Sequence, residues 1–179
     1  MDELIEELCR RVPGLGAARR STPSEIDWGV IEARLGILPA DYRAVAELFP
    51  NFTLCDFLHP MVPKKGAEQR FHFGTELEVL REWCAYGDGF DGGPYVAFPE
   101  PGGLLPWGES NEGDFFCWKT GDSDPDRWPV VLGSRSFAWY EYHGGMLEYI
   151  VGLLRGDVPP DGLPDIFTRP DPALYVYEA

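Results

Sequence analysis

Over residues 102–150 the chain alternates short aromatic and aliphatic runs with clusters of Gly, Pro and Asp. Gly102-Gly103-Leu104-Leu105-Pro106-Trp107-Gly108 leads into candidate strands at 114–119, 128–132 and 137–142, and a further one, 95–98, precedes it. Runs of this kind suit pleated, half-buried strands, and the residues between them accept turn geometry. Links this short favour antiparallel pairing. Gly144-Gly145 ends the last run, and residues 146–155 return to helical spacing with Met146, Ile150, Leu153 and Leu154 on one face.

Helical patterns fill the first part of the chain. Asp2 to Arg11 carries acids early and Arg10-Arg11 late, which suits the helix dipole at both ends. Pro13-Gly14-Leu15-Gly16 is expected to break it. Ser24 and Asp27 stand at capping-box-like spacing before Ile26, Val30 and Ile31, and Gly36 marks that helix's end. Leu38-Pro39-Ala40-Asp41 opens the next, with Tyr42, Val45, Leu48 and Phe49 inward and Pro50 as the stop. The short link between the two implies a helical hairpin. Residues 52–61 read as one strand, 71–73 as an amphipathic strand with His72 outward, and 75–83 as a helix. Residues 87–94 read as loop. The tail from Val158 is expected to lie on the body without regular structure. The class that results is α+β, with an antiparallel sheet of about 4–6 strands and helices segregated to one side.

At 179 residues, 44% hydrophobic and 14% aromatic, the chain can bury one domain's core but not two comfortably. One domain over 1–157 is expected, with 158–179 as a Pro-rich tail. No apolar run approaches the roughly 20 residues of a membrane helix, and Met1-Asp2-Glu3 is no secretory leader. These features predict a soluble cytoplasmic protein. The four cysteines have no Cys-x-x-Cys or zinc-ligand spacing, so buried reduced thiols are expected, and no metal or other cofactor.

The net charge of −15 is unevenly spread. Residues 82–126 hold ten carboxylates against the single Lys119, whereas 1–81 hold thirteen against ten Lys and Arg. Phosphate-driven nucleic-acid binding needs clustered cations, so it is disfavoured, and a basic protein partner is favoured. Glu109, Glu112, Asp114, Asp122, Asp124 and Asp126 are the candidate contact acids, with Trp107 as a candidate aromatic contact in a loop. Asp122-x-Asp124-x-Asp126 begins like a calcium loop but fails it, since Arg127 occupies the position of the turn Gly. His59, His72 and His143 have no nucleophile or acid at a motif spacing, and the segment 108–112 lacks the closing Gly of a nucleophile elbow. No enzyme is expected.

Taken together, Leu38-Pro39-x-Asp41-Tyr42-Arg43, Gly103-Leu104-Leu105-Pro106-Trp107-Gly108, Asn111, Gly113-Asp114, Trp118, Pro125-Asp126-Arg127-Trp128-Pro129-Val130-Val131, Trp139 and Met146-Leu147-Glu148-Tyr149-Ile150 resemble the SUKH superfamily. The resemblance spans residues 26–155. That family takes its name from yeast regulators of cell-wall synthesis and killer-toxin resistance, and its bacterial members are mostly immunity proteins that neutralise toxins, often nucleases. The segment 51–57 lacks the family's Gly-rich turn, and the tail from Val158 lies outside the pattern. The resemblance implies a non-enzymatic immunity protein that binds a basic toxin. A regulatory or scaffolding protein without a toxin partner is the alternative, and an uncharacterised hydrolase comes third.

Overall fold

The computed structural model describes residues 1–68, 74–86 and 94–177. Its centre is one antiparallel sheet of seven strands: β1 (Asn51–Leu54), β2 (Leu58–Pro60), β3 (Leu104–Ser110), β4 (Phe115–Lys119), β5 (Val130–Gly133), β6 (Trp139–Tyr142) and β7 (Leu174–Tyr177). Their spatial order is β6-β5-β4-β3-β2-β1-β7. The α+β class is as expected, and the strand count is higher.

Two of the extra strands have identifiable origins. The apolar run 52–61 folds back on itself, because Cys55 and Asp56 take φ of 59° and 52° and bring Leu54 opposite Leu58. No Gly or Pro announces that turn. The tail supplies the other: all four residues of β7 pair with β1, from Asn51 opposite Tyr177 to Leu54 opposite Leu174. By contrast, residues 95–98 form no strand and contribute one isolated bridge between Ala97 and Leu104.

Strand alternation divides the sheet into two faces. Leu105, Trp107, Phe116, Trp118, Val130 and Leu132 point into the main core. There they meet α1 (Asp2–Arg11), α2 (Pro13–Ala18), α3 (Trp28–Leu35) and α4 (Ala40–Leu48), with a later helix, α6 (Met146–Arg155). The remaining helix, α5 (Gly74–Tyr86), covers the other face. Its Leu80 and Cys84 pack on Leu104, Phe115, Cys117 and Val131 in a separate, smaller cluster. The helices are therefore not all on one side. Because β3, β4 and β5 are apolar on both faces, leaving one bare would expose a continuous hydrophobic surface. The expected amphipathic strand at 71–73, and residues 87–93 of the expected loop, lie outside the described residues.

Local signals set the helix ends. The Asp27 side chain accepts from the Val30 amide at 3.3 Å, and α3 starts one residue later. Pro13 begins α2 instead of ending helical structure, since a first-turn amide has no intrahelical partner to lose. Gly16 lets that helix turn against α1, because a Cβ there would lie 3.1 Å from Cys9. α6 ends on Gly156 in the left-handed region, with the Asp157 and Val158 amides both donating to the Gly152 carbonyl. Packing around α4 joins helices to sheet: Tyr42 meets Trp118 edge-on at 5.0 Å, and its hydroxyl donates to the Met61 carbonyl at 2.6 Å.

Candidate functional site

The mouth of α4 is where acidic groups and an open apolar surface coincide. After β4 the chain makes a 3-10 turn, Pro125–Arg127, that lies against the start of α4. A ladder of side-chain caps shapes the approach. Asp122 accepts from the Asp124 amide at 3.0 Å, Asp124 from the Asp126 amide at 3.1 Å, and Asp126 from the Ala40 amide at 2.6 Å. The Trp128 indole anchors the turn by donating to the Asp122 carbonyl at 2.8 Å. One carboxylate thus caps α4, while Asp122, ion-paired with Arg127 at 3.5 Å, and Asp124 stay exposed beyond it.

Asp41 adds a fourth acid from inside the fold. Its carboxylate accepts from the Tyr42 amide at 2.7 Å and from Leu147 at 2.9 Å, so it also caps α6. Glu148 accepts from the Gly145 amide at 3.1 Å beside it. Burial pushes the Asp41 carboxyl above its ordinary value; the two backbone amides pull the other way, and the nearby charges of Asp126 and Glu148 reinforce burial.

Two adjoining cavities open here. The larger, about 440 Å³, has an apolar lining of Ile37, Leu38, Ala40, Ala44 and Pro125, with Asp124, Asp126 and Glu47 also on its wall. Ile37 is 63% exposed. The smaller, about 210 Å³, lies among Leu4, Pro39, Asp41, Trp118, Trp128 and Glu148. Met1, Ala40, Pro125 and Asp126 line both, making one groove. Arg43 also lines it, but its guanidinium is committed to Glu32 at 3.0 Å and to the face of Trp28.

The contact acids expected from sequence do not all share this surface: Asp124 and Asp126 line the groove, and Asp122 lies beside them on the same turn. Glu109, Glu112 and Asp114 lie at the other end of β4, roughly 17 Å away for five strand residues. Asp114 is only 3% exposed, accepting from the Ser110 hydroxyl at 2.5 Å and the Arg135 amide at 2.9 Å. It serves as an internal acceptor for the β3–β4 turn, not as a contact. Glu112 is exposed but paired with Arg135 at 2.8 Å. Glu109 lies on β3 opposite His59. Trp107 corrects an expectation outright: it is a β3 residue, 0% exposed, packed against Phe116 and Trp118. A bulge between Pro106 and Gly108 places it there, and no partner can reach it.

Comparisons with protein-family models, with curated proteins and with solved structures find no match. The residues that complete the groove, Asp41, Glu148 and Ile37, were missed as site candidates. Asp41 sits at a helix start, where an acid is ordinary, so only the three-dimensional meeting of α4, α6 and the 3-10 turn reveals its neighbours.

No helix among the described residues is long and apolar enough to cross a membrane. All four cysteines are free, and burial raises the Cys55 and Cys84 thiols to about 11. His59 Nδ1 lies 3.3 Å from the Thr53 hydroxyl, which also contacts the Tyr177 hydroxyl at 2.9 Å. Thr53 is buried, so the row joins β2, β1 and β7.

Proposed function

We propose that the protein is a non-enzymatic binding module of SUKH type, an immunity protein acting in the cytoplasm on a basic toxin such as a nuclease. The groove at the mouth of α4 is its docking surface. One observation carries this reading: burial, reinforced by the charges of Asp126 and Glu148, holds the Asp41 carboxyl above its ordinary value beside an open apolar lining. A lysine or arginine entering the groove would relieve that repulsion, while the apolar surface takes up its stem or a neighbouring side chain. Acids at the far end of the β3–β4 hairpin have no part in it.

The test is Asp122→Asn combined with Asp124→Asn, which spares the caps of α4 and α6. Stability should stay within about 0.5 kcal/mol of the parent. Stopped-flow association with the toxin encoded beside the gene should slow, and its dependence on salt should weaken. An unchanged rate and salt slope would remove the groove from the interface. A gene neighbourhood without a toxin would favour the regulatory or scaffolding alternative.

A further inference from the structure

At the other end of α4 the chemistry reverses. A cavity of about 220 Å³ is enclosed by the approach to α3, the last turn of α4, the start of β1, the loop after β2 and the end of β7. Its polar lining is Arg20, Ser24, Asn51, Lys64, Lys65 and Tyr177. Three of only 15 Lys and Arg residues converge there in a chain of net charge −15. We propose that this cavity is a binding site for a small oxyanion, with phosphate as the preferred class.

Structural duty accounts for part of this cluster and no more. Arg20 Nη1 donates to the carbonyls of Ala46 at 3.4 Å and Glu47 at 3.3 Å, and to that of Phe49, so it satisfies the last turn of α4. That contact holds the guanidinium in place before any ligand arrives. Its Nε and Nη2 have no acceptor among the described residues. Lys65 is held by Glu25 at 2.9 Å, on an exposed pair that solvent screens. Lys64 has no ion-pair partner among the described residues.

The helix C-terminus presents only about half a negative charge. Against it and Glu25 stand three full cations, so the balance is positive. A phosphate offers charge and acceptor oxygens in several directions, and this lining offers guanidinium, ammonium, hydroxyl and amide donors. A planar carboxylate uses fewer of them. The site shares no residue with the 122–126 turn and does not depend on the toxin reading.

The experiment titrates the full chain with inorganic phosphate at constant ionic strength, followed by amide chemical shifts, with acetate in a parallel arm. Saturable shifts at Ser24, Asn51, Lys64 and Lys65, with an affinity on the order of 1 mM, are expected. Acetate should bind more weakly. Lys64→Ala with Lys65→Ala should weaken phosphate about tenfold or more, the scale of losing a charge-assisted contact, without moving the thermal midpoint. The proposal is overturned by linear, unsaturated shifts up to about 10 mM, by equal responses to acetate and phosphate, or by unchanged affinity in the double variant. Glu178, next to Tyr177 in sequence, lies outside the described residues. Phosphate binding that appears only after Glu178→Gln would mean the chain fills the cavity with its own carboxylate, which also overturns a free-ligand site.

Discussion

At its first turn α4 meets Asp126 and at its last turn Arg20, and each supplies the hydrogen-bonding groups that a helix end lacks. Both placements also complement the helix dipole, so charge of these signs at these ends needs no ligand to explain it. The two ends differ in what is left over. Asp124, Asp41 and Glu148 line an apolar opening at the acidic end, and burial with the nearby acids holds the Asp41 carboxyl above its ordinary value there. At the basic end Lys64 and Lys65 surround a smaller, mostly polar recess. Charge beyond what the helix ends themselves use is where binding is to be sought.

The largest effect should come from Arg20→Ala, which strips charge-assisted donors from the α4 carbonyls. A loss of about 1.5–3 kcal/mol is expected in urea denaturation. A loss no greater than at an ordinary exposed position would mean that water replaces the guanidinium there. Asp126→Ala should cost about 1 kcal/mol through the lost cap, whereas Asp126→Asn should cost little, because asparagine accepts the same bond.

Acid titration separates two carboxyls of opposite behaviour. Glu7, held by hydrogen bonds from Arg155 and Arg11 with Arg10 nearby, is lowered to about 2 from an ordinary 4.5. Its contribution to stability is present above about pH 4.5 and is lost as pH falls towards 2. Asp41 is raised above its ordinary 3.8, so its contribution is present below that value and lost as pH rises through its folded value. Subtracting variant from parent stability curves across pH 2–7 should show Glu7→Gln flattening the acid limb. Asp41→Asn should remove a decline in the opposite direction. Curves of the same sign would show that burial does not dominate at Asp41.

Much of the architecture was legible because it rests on local chemistry. Pro39 and Gly36 bracket the α3–α4 hairpin, Gly156 ends α6, and the aromatic runs 114–119 and 128–132 hold β4 and all but the last residue of β5. What was not legible depends on long-range pairing. Leu174-Tyr175-Val176-Tyr177 is too short to announce a strand alone, and it becomes one because β1 presents an open edge. Trp107 looked like a loop residue beside Pro106 and Gly108, yet those neighbours form the bulge that buries it. For the site, the 122–126 acids were read correctly as exposed. Grouping them with Asp114 failed, because a strand separates the two turns and sequence proximity carries no information about which end of it a turn occupies.

The small second core under α5 has a consequence for reactivity. Residues such as Leu80, Cys84, Phe115 and Cys117 form a patch distinct from the main cluster, with Leu77 touching both, so α5 is expected to open at a lower free energy than the rest. Cys117 is wholly enclosed beneath it, and burial holds its thiol far above the ordinary range. Alkylation of Cys117 should therefore proceed through a partial opening in mild denaturant, at concentrations where amide signals of α4 and α6 still report an intact main core. The thiol would then serve as a clock for that helix alone.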